Sequence, residues 1–160
     1  MTKKKPWNRI NLPVYSISSK AGDISNMNIC TYVSAVSMQP KRIMVAIYEN
    51  TKTLELVNKS PHFVLQLLNA TQYRLVDLLG KKSAHTTDKI SRLKKRKLLT
   101  SWNGFVILST ALAAMELKVI NTMPGGDHII FLCDVIAYKN LNDGDALTLD
   151  DLRAHRLIRI

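Results

Sequence analysis

The stretch 26–55 constrains this chain more than any other part of it. Residues 26–38 read as an extended run dressed with small polar groups, Asn28, Thr31, Ser34 and Ser37 among them, and Gln39-Pro40 closes the run. An apolar strand follows over 42–48. Asn50-Thr51-Lys52-Thr53 then opens a helix with capping residues. The first turn of a helix leaves N–H groups unpaired and carries a partial positive charge, so an anion settles there, and the Thr hydroxyls and the Lys52 ammonium add donors. Taken alone, the ordinary reason for such residues is simpler: Asn50 or Thr51 caps the helix and Lys52 points into water.

Beyond that stretch, apolar runs with strand character fall at 12–18, 62–68, 105–120 and 128–138, with the 29–38 and 42–48 strands completing the set. The runs around Val45 and Leu65 read as buried on both faces, and the Ala-rich 112–115 segment predicts a bend in the 105–120 strand. Pro124-Gly125-Gly126-Asp127 predicts the turn of a hairpin. Helices are expected from Asn50 or Thr51 to about residue 58, over 72–79 with Gly80 ending it, from Asp88 through 97, and after Thr148, where Asp151 completes a capping box. Strands in such excess over short, irregularly placed helices predict a mainly β (β-rich α+β) barrel with peripheral short helices, and not a doubly wound sheet.

The 160 residues suit one domain, 1–160, with a sizeable core. No apolar run approaches the roughly 20 residues that span a bilayer, and the basic N-terminus has no apolar segment behind it, so a cytoplasmic protein without membrane contact is expected. Cys30 and Cys133 lack metal-ligand spacing and read as buried free thiols. A net charge of +11, concentrated at Lys3-Lys4-Lys5, Lys81-Lys82 and 92–97, raises nucleic-acid binding as a remote alternative. Without an aromatic stacking platform or a nucleic-acid-binding motif, a solvated basic face is the plainer reading.

Five segments in order carry a resemblance. The asparagine-led, hydroxyl-rich run 26–40, the Asn50-Thr51-Lys52-Thr53 helix start, the strand after Pro61, Ser83 followed by Asp88-Lys89-Ile90, and Gly126-Asp127-His128 resemble the flavin reductase-like, FMN-binding split-barrel family, flavoredoxin-like members included. The resemblance implies FMN, with FAD as an alternative flavin, its phosphate near Asn50, Thr51, Lys52 and Thr53 and its ring along Asn28, Ile29, Cys30 and Thr31. Ser37 and Lys89 are implied as further contacts. It implies NAD(P)H as electron donor, hydride transfer to the flavin, and a homodimer with the flavin at or near its interface, supplying a redox partner protein or a monooxygenase. A flavoredoxin-like electron carrier without its own nicotinamide site is the alternative.

His128 is the one side chain with a candidate catalytic role, orienting the nicotinamide or adjusting protonation near the flavin; capping the Gly125-Gly126 turn is the competing reading. The chain departs from the family pattern in having Cys30 and Tyr32 where smaller residues are common, and a short helical segment at 147–153 instead of an aromatic tail.

Overall fold

A computed structural model describes residues 4–158; Lys3 of the N-terminal basic run lies outside the described residues. Nine strands and three α-helices follow in the order β1 Tyr15–Ala21, β2 Ile24–Cys30, β3 Val33–Ser37, β4 Arg42–Tyr48, α1 Lys52–Lys59, β5 His62–Leu67, α2 Lys89–Lys95, β6 Leu99–Trp102, β7 Phe105–Leu108, β8 Ala113–Pro124, β9 His128–Asn140 and α3 Leu149–Ala154. Seven of the strands form one sheet in the order β2-β1-β5-β8-β9-β4-β3, and every neighbouring pair is antiparallel.

That order dictates a barrel. The two edge strands, β2 and β3, are consecutive in the chain and are joined only by Thr31 and Tyr32. Laid flat, their separation is roughly 29 Å at the usual strand spacing, while the step from Cys30 to Val33 reaches only about 10 Å. The sheet therefore curls until its edges meet at this corner. Side chains from all around the curl converge inside: Ile17, Cys30, Ile43, Val45, Ile47, Phe63, Leu65, Leu117, Phe131 and Cys133 form one buried cluster, with Val57 of α1 joining it. On the outer face of β1, β2 and β5 a second core gathers Met27, Leu68, Leu78, Leu79, Leu93 of α2 and Leu152 of α3.

Several expectations hold. Strands at 42–48, 62–68 and 128–138 appear nearly as read, Thr51 caps α1 by accepting from the Leu54 N–H, and Thr148 and Asp151 cap α3 reciprocally. Asp88 caps α2. Both cysteines are buried and free.

Other expectations need correction. The 29–38 strand is two strands, because the barrel turns its corner at Thr31-Tyr32, where the Tyr32 carbonyl accepts from Ala46 N at 2.9 Å. The 105–120 strand is likewise β7 and β8, separated by a turn at 109–112, since β7 leaves the barrel to pair with β6. In β4 burial alternates, with Ile43, Val45 and Ile47 inside, so of these two runs β5 alone is covered on both faces. The 72–79 helix is a 3-10 turn over Ala70–Leu75 followed by a wide π-turn over Asp77–Lys81, with Gly80 inside it. A Cβ at Gly80 would meet Ile29 Cγ2 at 3.0 Å, so the glycine serves close packing on β2 and not a helix stop.

Candidate functional site

Alternation along β2 sends Asn26, Asn28 and Cys30 to one face and Met27 and Ile29 to the other. Cys30 lies in the barrel core and Met27 in the outer core, with Ile29 packed against it. Asn26 and Asn28 thus look along the barrel interior towards α1. Buried Asn26 donates from Nδ2 to Thr53 Oγ1 at 3.1 Å, clamping the first turn of α1 onto the strand.

Around this clamp runs a groove of about 370 Å³, walled by β2, the start of α1, the π-turn with the 81–84 segment after it, and Lys89. Asn28, Ile29, Asn50, Thr51, Lys52, Thr53 and Lys89 all line it. The Thr51 hydroxyl is committed locally, donating to the Tyr48 carbonyl and accepting from Leu54 N. Among the described residues the Lys52 and Thr53 amides find no backbone carbonyl, as expected at a helix start. Lys52 pairs with Glu55 at 3.2 Å. On the other side of Glu55, His85 Nε2 lies 2.6 Å away, tying α1 to the segment that flanks the groove. The hydrogen bond to His85 first, then the one to Lys52, holds the Glu55 carboxyl below the usual range.

Lys89 is the least conventional group here. It is buried, its Nζ donates to the Leu79 carbonyl at 3.0 Å, and among the described residues no carboxylate pairs with it. Burial pulls its pKa down to about 8. On the same wall Asn28 Oδ1 is buried without a hydrogen-bond partner among the described residues.

A second cavity, of about 220 Å³, adjoins the groove, and Asn28, Ile29 and Tyr48 line both. Cys30, Thr31, Tyr32 and His128 also line it, with Ile17, Ala46 and Ile47 at its barrel side. The register places His128 opposite Tyr48 across β9 and β4. The imidazole sits 4.9 Å from the Tyr32 ring and 5.1 Å from the Tyr48 ring, centroid to centroid. Its Nδ1 is 2.6 Å from Asp127 Oδ1, which leaves Nε2 for the cavity. The turn-capping reading of His128 finds only a main-chain counterpart: Gly125 N donates to the His128 carbonyl at 2.8 Å. Cys30 is no nucleophile here, since burial pushes its thiol up to about 11 and Sγ lies 3.6 Å from the Ala46 carbonyl.

The structure thus brings together ten of the eleven residues singled out from the sequence, and leaves out Ser37, which pairs with Arg42 at the far end of β3. Sequence reasoning missed Asn26, Tyr48 and the 81–84 segment as lining. Tyr48 was legible as the last residue of a strand leading into the cap; 81–84 was marked only by its basic pair and by Ser83, neither of which placed it on the groove wall.

A curled, mainly β sheet split at a corner, with a polar groove beside the split, defines the split-barrel class. A family model described as flavin reductase like domain matches residues 7–157, and the chain belongs to that family. Diflavin flavoprotein A 1 of Synechocystis sp. is 27% identical over 97% of this chain and 26% of its own length. The reductase component of an FADH(2)-dependent resorcinol hydroxylase from Rhizobium sp. is 29% identical over 67% of this chain and 58% of its own. The chain spans about a quarter of the length of the diflavin relatives it matches. Among solved structures, the FMN-binding protein of Thermus thermophilus superposes with a TM-score of 0.75 at 22% identity, covering 88% of this chain and 78% of that one. BorF, the flavin reductase component of a bacterial two-component tryptophan halogenase, gives 0.77 at 19% identity over 89% and 88%. At such identities these structures speak for the fold.

Proposed function

We propose that the chain binds FMN in the groove and acts as a flavin reductase-like oxidoreductase with NAD(P)H as donor. The observation that carries this reading is Lys89, a buried ammonium in the groove wall with no carboxylate among the described residues to balance it. A phosphate supplies the missing charge, with Lys52 and the free Lys52 and Thr53 amides as further donors. The orphaned Asn28 oxygen asks for a donor, which the N–H edge of a flat heterocycle provides. The residues present therefore fit a flavin mononucleotide.

When bound, the flavin supplies the two-electron chemistry, accepting a hydride from the nicotinamide. The chain's own contribution is to bind, orient and exclude water. Lys52, Lys89 and the start of α1 hold the phosphate, while Asn28 fixes the ring edge. Tyr32 and Tyr48 shield the second cavity, and His128, braced by Asp127, orients what enters there. A second reading, an FMN electron carrier without its own nicotinamide site, is favoured by the small volume, about 220 Å³, that the tyrosines leave.

A homodimer fits the exposed apolar side chains on β3, β8 and β9, Val36, Met123, Ile136 and Tyr138 among them. The hydroxylase and halogenase components among its relatives make a flavin-consuming oxygenase the natural recipient of reduced flavin. Among the described residues no helix is long and apolar enough to cross a membrane.

The test is optical. Purified protein is expected to show flavin absorbance or to acquire it on adding FMN, and anaerobic NADH or NADPH is expected to bleach it. Bound flavin that stays oxidised under both donors would select the carrier reading; failure to bind any flavin would sink both.

A further inference from the structure

The basic run at 92–97 takes no part in the groove, yet it grows from the helix that Lys89 begins. Between Asp77 and Glu116 the chain holds eight lysines and arginines against one acid, Asp88, so the charge here has no local balance. Three of the eight, Lys81, Lys82 and Lys89, line the groove. The other five, Arg92, Lys94, Lys95, Arg96 and Lys97, stand exposed at the far end of α2 and just past it. Among the described residues no carboxylate pairs with any of these five.

The fold holds this charge rigidly. Leu93 is buried in the outer core and Ile90 packs against it, which turns residues 92 and 94–97 to solvent. A helix C-terminus favours cations through its dipole, and that accounts for Arg92, Lys94 and Lys95 in the last turn. It does not account for Lys97, which lies past the helix at φ 56°, where glycine is the ordinary residue. The turn closes as it would on glycine: Leu98 N donates to the Leu93 carbonyl at 3.2 Å, and Lys97 N to that of Lys94 at 2.9 Å. A lysine held there, beside four like charges, carries a charge that the fold itself does not use. At the helical rise, Lys94 and Lys95 stand roughly 8 to 9 Å along the axis from Lys89. A protein seated on the run therefore stands beside the groove.

We propose that the solvent face of α2 and the turn at Arg96-Lys97 form the docking surface for an acidic protein, the one that receives reduced flavin from the groove. The recipient's role rests on the groove being the flavin site. Charge complementarity names the partner's chemistry: five unbalanced cations on a rigid face fit a cluster of Asp and Glu side chains. A face so charged and so poor in apolar groups suits the small, salt-sensitive encounters typical of redox proteins. Nucleic acid and lipid fit it less well. Among the described residues no exposed large apolar or aromatic side chain lies between Tyr48 and Ile120 to stack on a base or enter a bilayer. The C-terminal end of a helix, where the dipole is negative, is also the wrong end for phosphate.

Fluorescence anisotropy with labelled rubredoxin, a small and strongly acidic redox protein, tests the docking, with a labelled single-stranded DNA oligonucleotide as the rival probe. Rubredoxin is expected to bind with an affinity that falls as salt rises. Arg92→Gln/Lys94→Gln/Lys95→Gln/Arg96→Gln is expected to weaken it by about tenfold or more. The same charge removed from exposed lysines elsewhere, in Lys41→Gln/Lys59→Gln/Lys118→Gln/Lys139→Gln, is expected to cost less than about twofold. Lys97→Gly keeps the turn and relieves its backbone, so docking should weaken while the melting temperature is no lower than the parent's. That result stands even where the quadruple variant does not fold. Equal losses in the two quadruple variants would reduce the effect to net charge and overturn the docking surface, as would the absence of any binding to rubredoxin. DNA bound more tightly than rubredoxin, and lost with the run, would overturn the acidic protein in favour of nucleic acid. The titrations need no flavin: docking by a protein that binds no flavin would uphold the surface and overturn the recipient's role.

Discussion

The groove beside Lys89 and the cavity around His128 share a wall and differ in everything else. The groove is built from short local elements, a capped helix start, a π-turn and the first residue of α2, and its working parts are charges and unpaired donors. The cavity is built from barrel strands whose neighbours are set by sheet order, and its working parts are packed rings. Charge in a partly dry site governs whether an anion stays. Packed rings govern how a flat ligand lies, which matters for transfer more than for affinity. Substitutions in the two regions should therefore separate binding from rate.

The largest effect is expected at Lys89. Lys89→Met keeps the stem and removes the charge, and FMN affinity should fall by about 10- to 100-fold, the range for hydrogen bonds to charged groups. Its pH behaviour sharpens the point. With the folded pKa depressed to about 8 from 10.5, the unfolded chain holds the proton across that window and the fold does not. Stability of the flavin-free protein should thus rise with pH between those values, while phosphate affinity falls as the ammonium is lost. Titrations and melts at pH 7 to 10 in the parent and in Lys89→Met check both slopes; a parent-like pH dependence in the variant would assign them to another group.

A smaller effect, of a different kind, is expected on the other side. His128→Gln should slow hydride transfer on the order of tenfold in stopped-flow traces with FMN affinity nearly unchanged. If affinity fell and the rate held, the division between the regions would break. The smallest effect belongs to Lys52→Ala, at about two- to fivefold in affinity, because Lys52 is partly exposed and already paired with Glu55. Thr53 is unsuited to the same experiment. Its hydroxyl is buried and accepts from Asn26, so truncation would leave a buried donor unsatisfied and disturb the fold.

What could be read in advance follows the same divide. Caps are written locally, so Thr51, Asp88 and Thr148 announced α1, α2 and α3. Strands such as β5 and β9 declared themselves through long apolar runs. The corner at Thr31-Tyr32 did not, because neither Gly nor Pro marks it and its cause is the closure of a sheet whose partners lie far along the chain. The β6–β7 hairpin was legible and went unread: Asn103-Gly104 is a two-residue turn with positive φ at both positions, 49° and 81°. Lys89 is a third case. Its residue type was visible beside Asp88, but its burial depends on Leu79 and the π-turn folding back over it.

Asn28 stands in the partition between the groove and the aromatic cavity. A primary amide offers an acceptor from one end and donors from the other. A ligand that settles which end faces the groove thereby decides which end faces its neighbour. Occupancy of the two sides is then thermodynamically reciprocal: whatever factor one ligand imposes on the other's affinity is returned in full. Any coupling that passes through this shared β2 side chain is therefore equal in both directions.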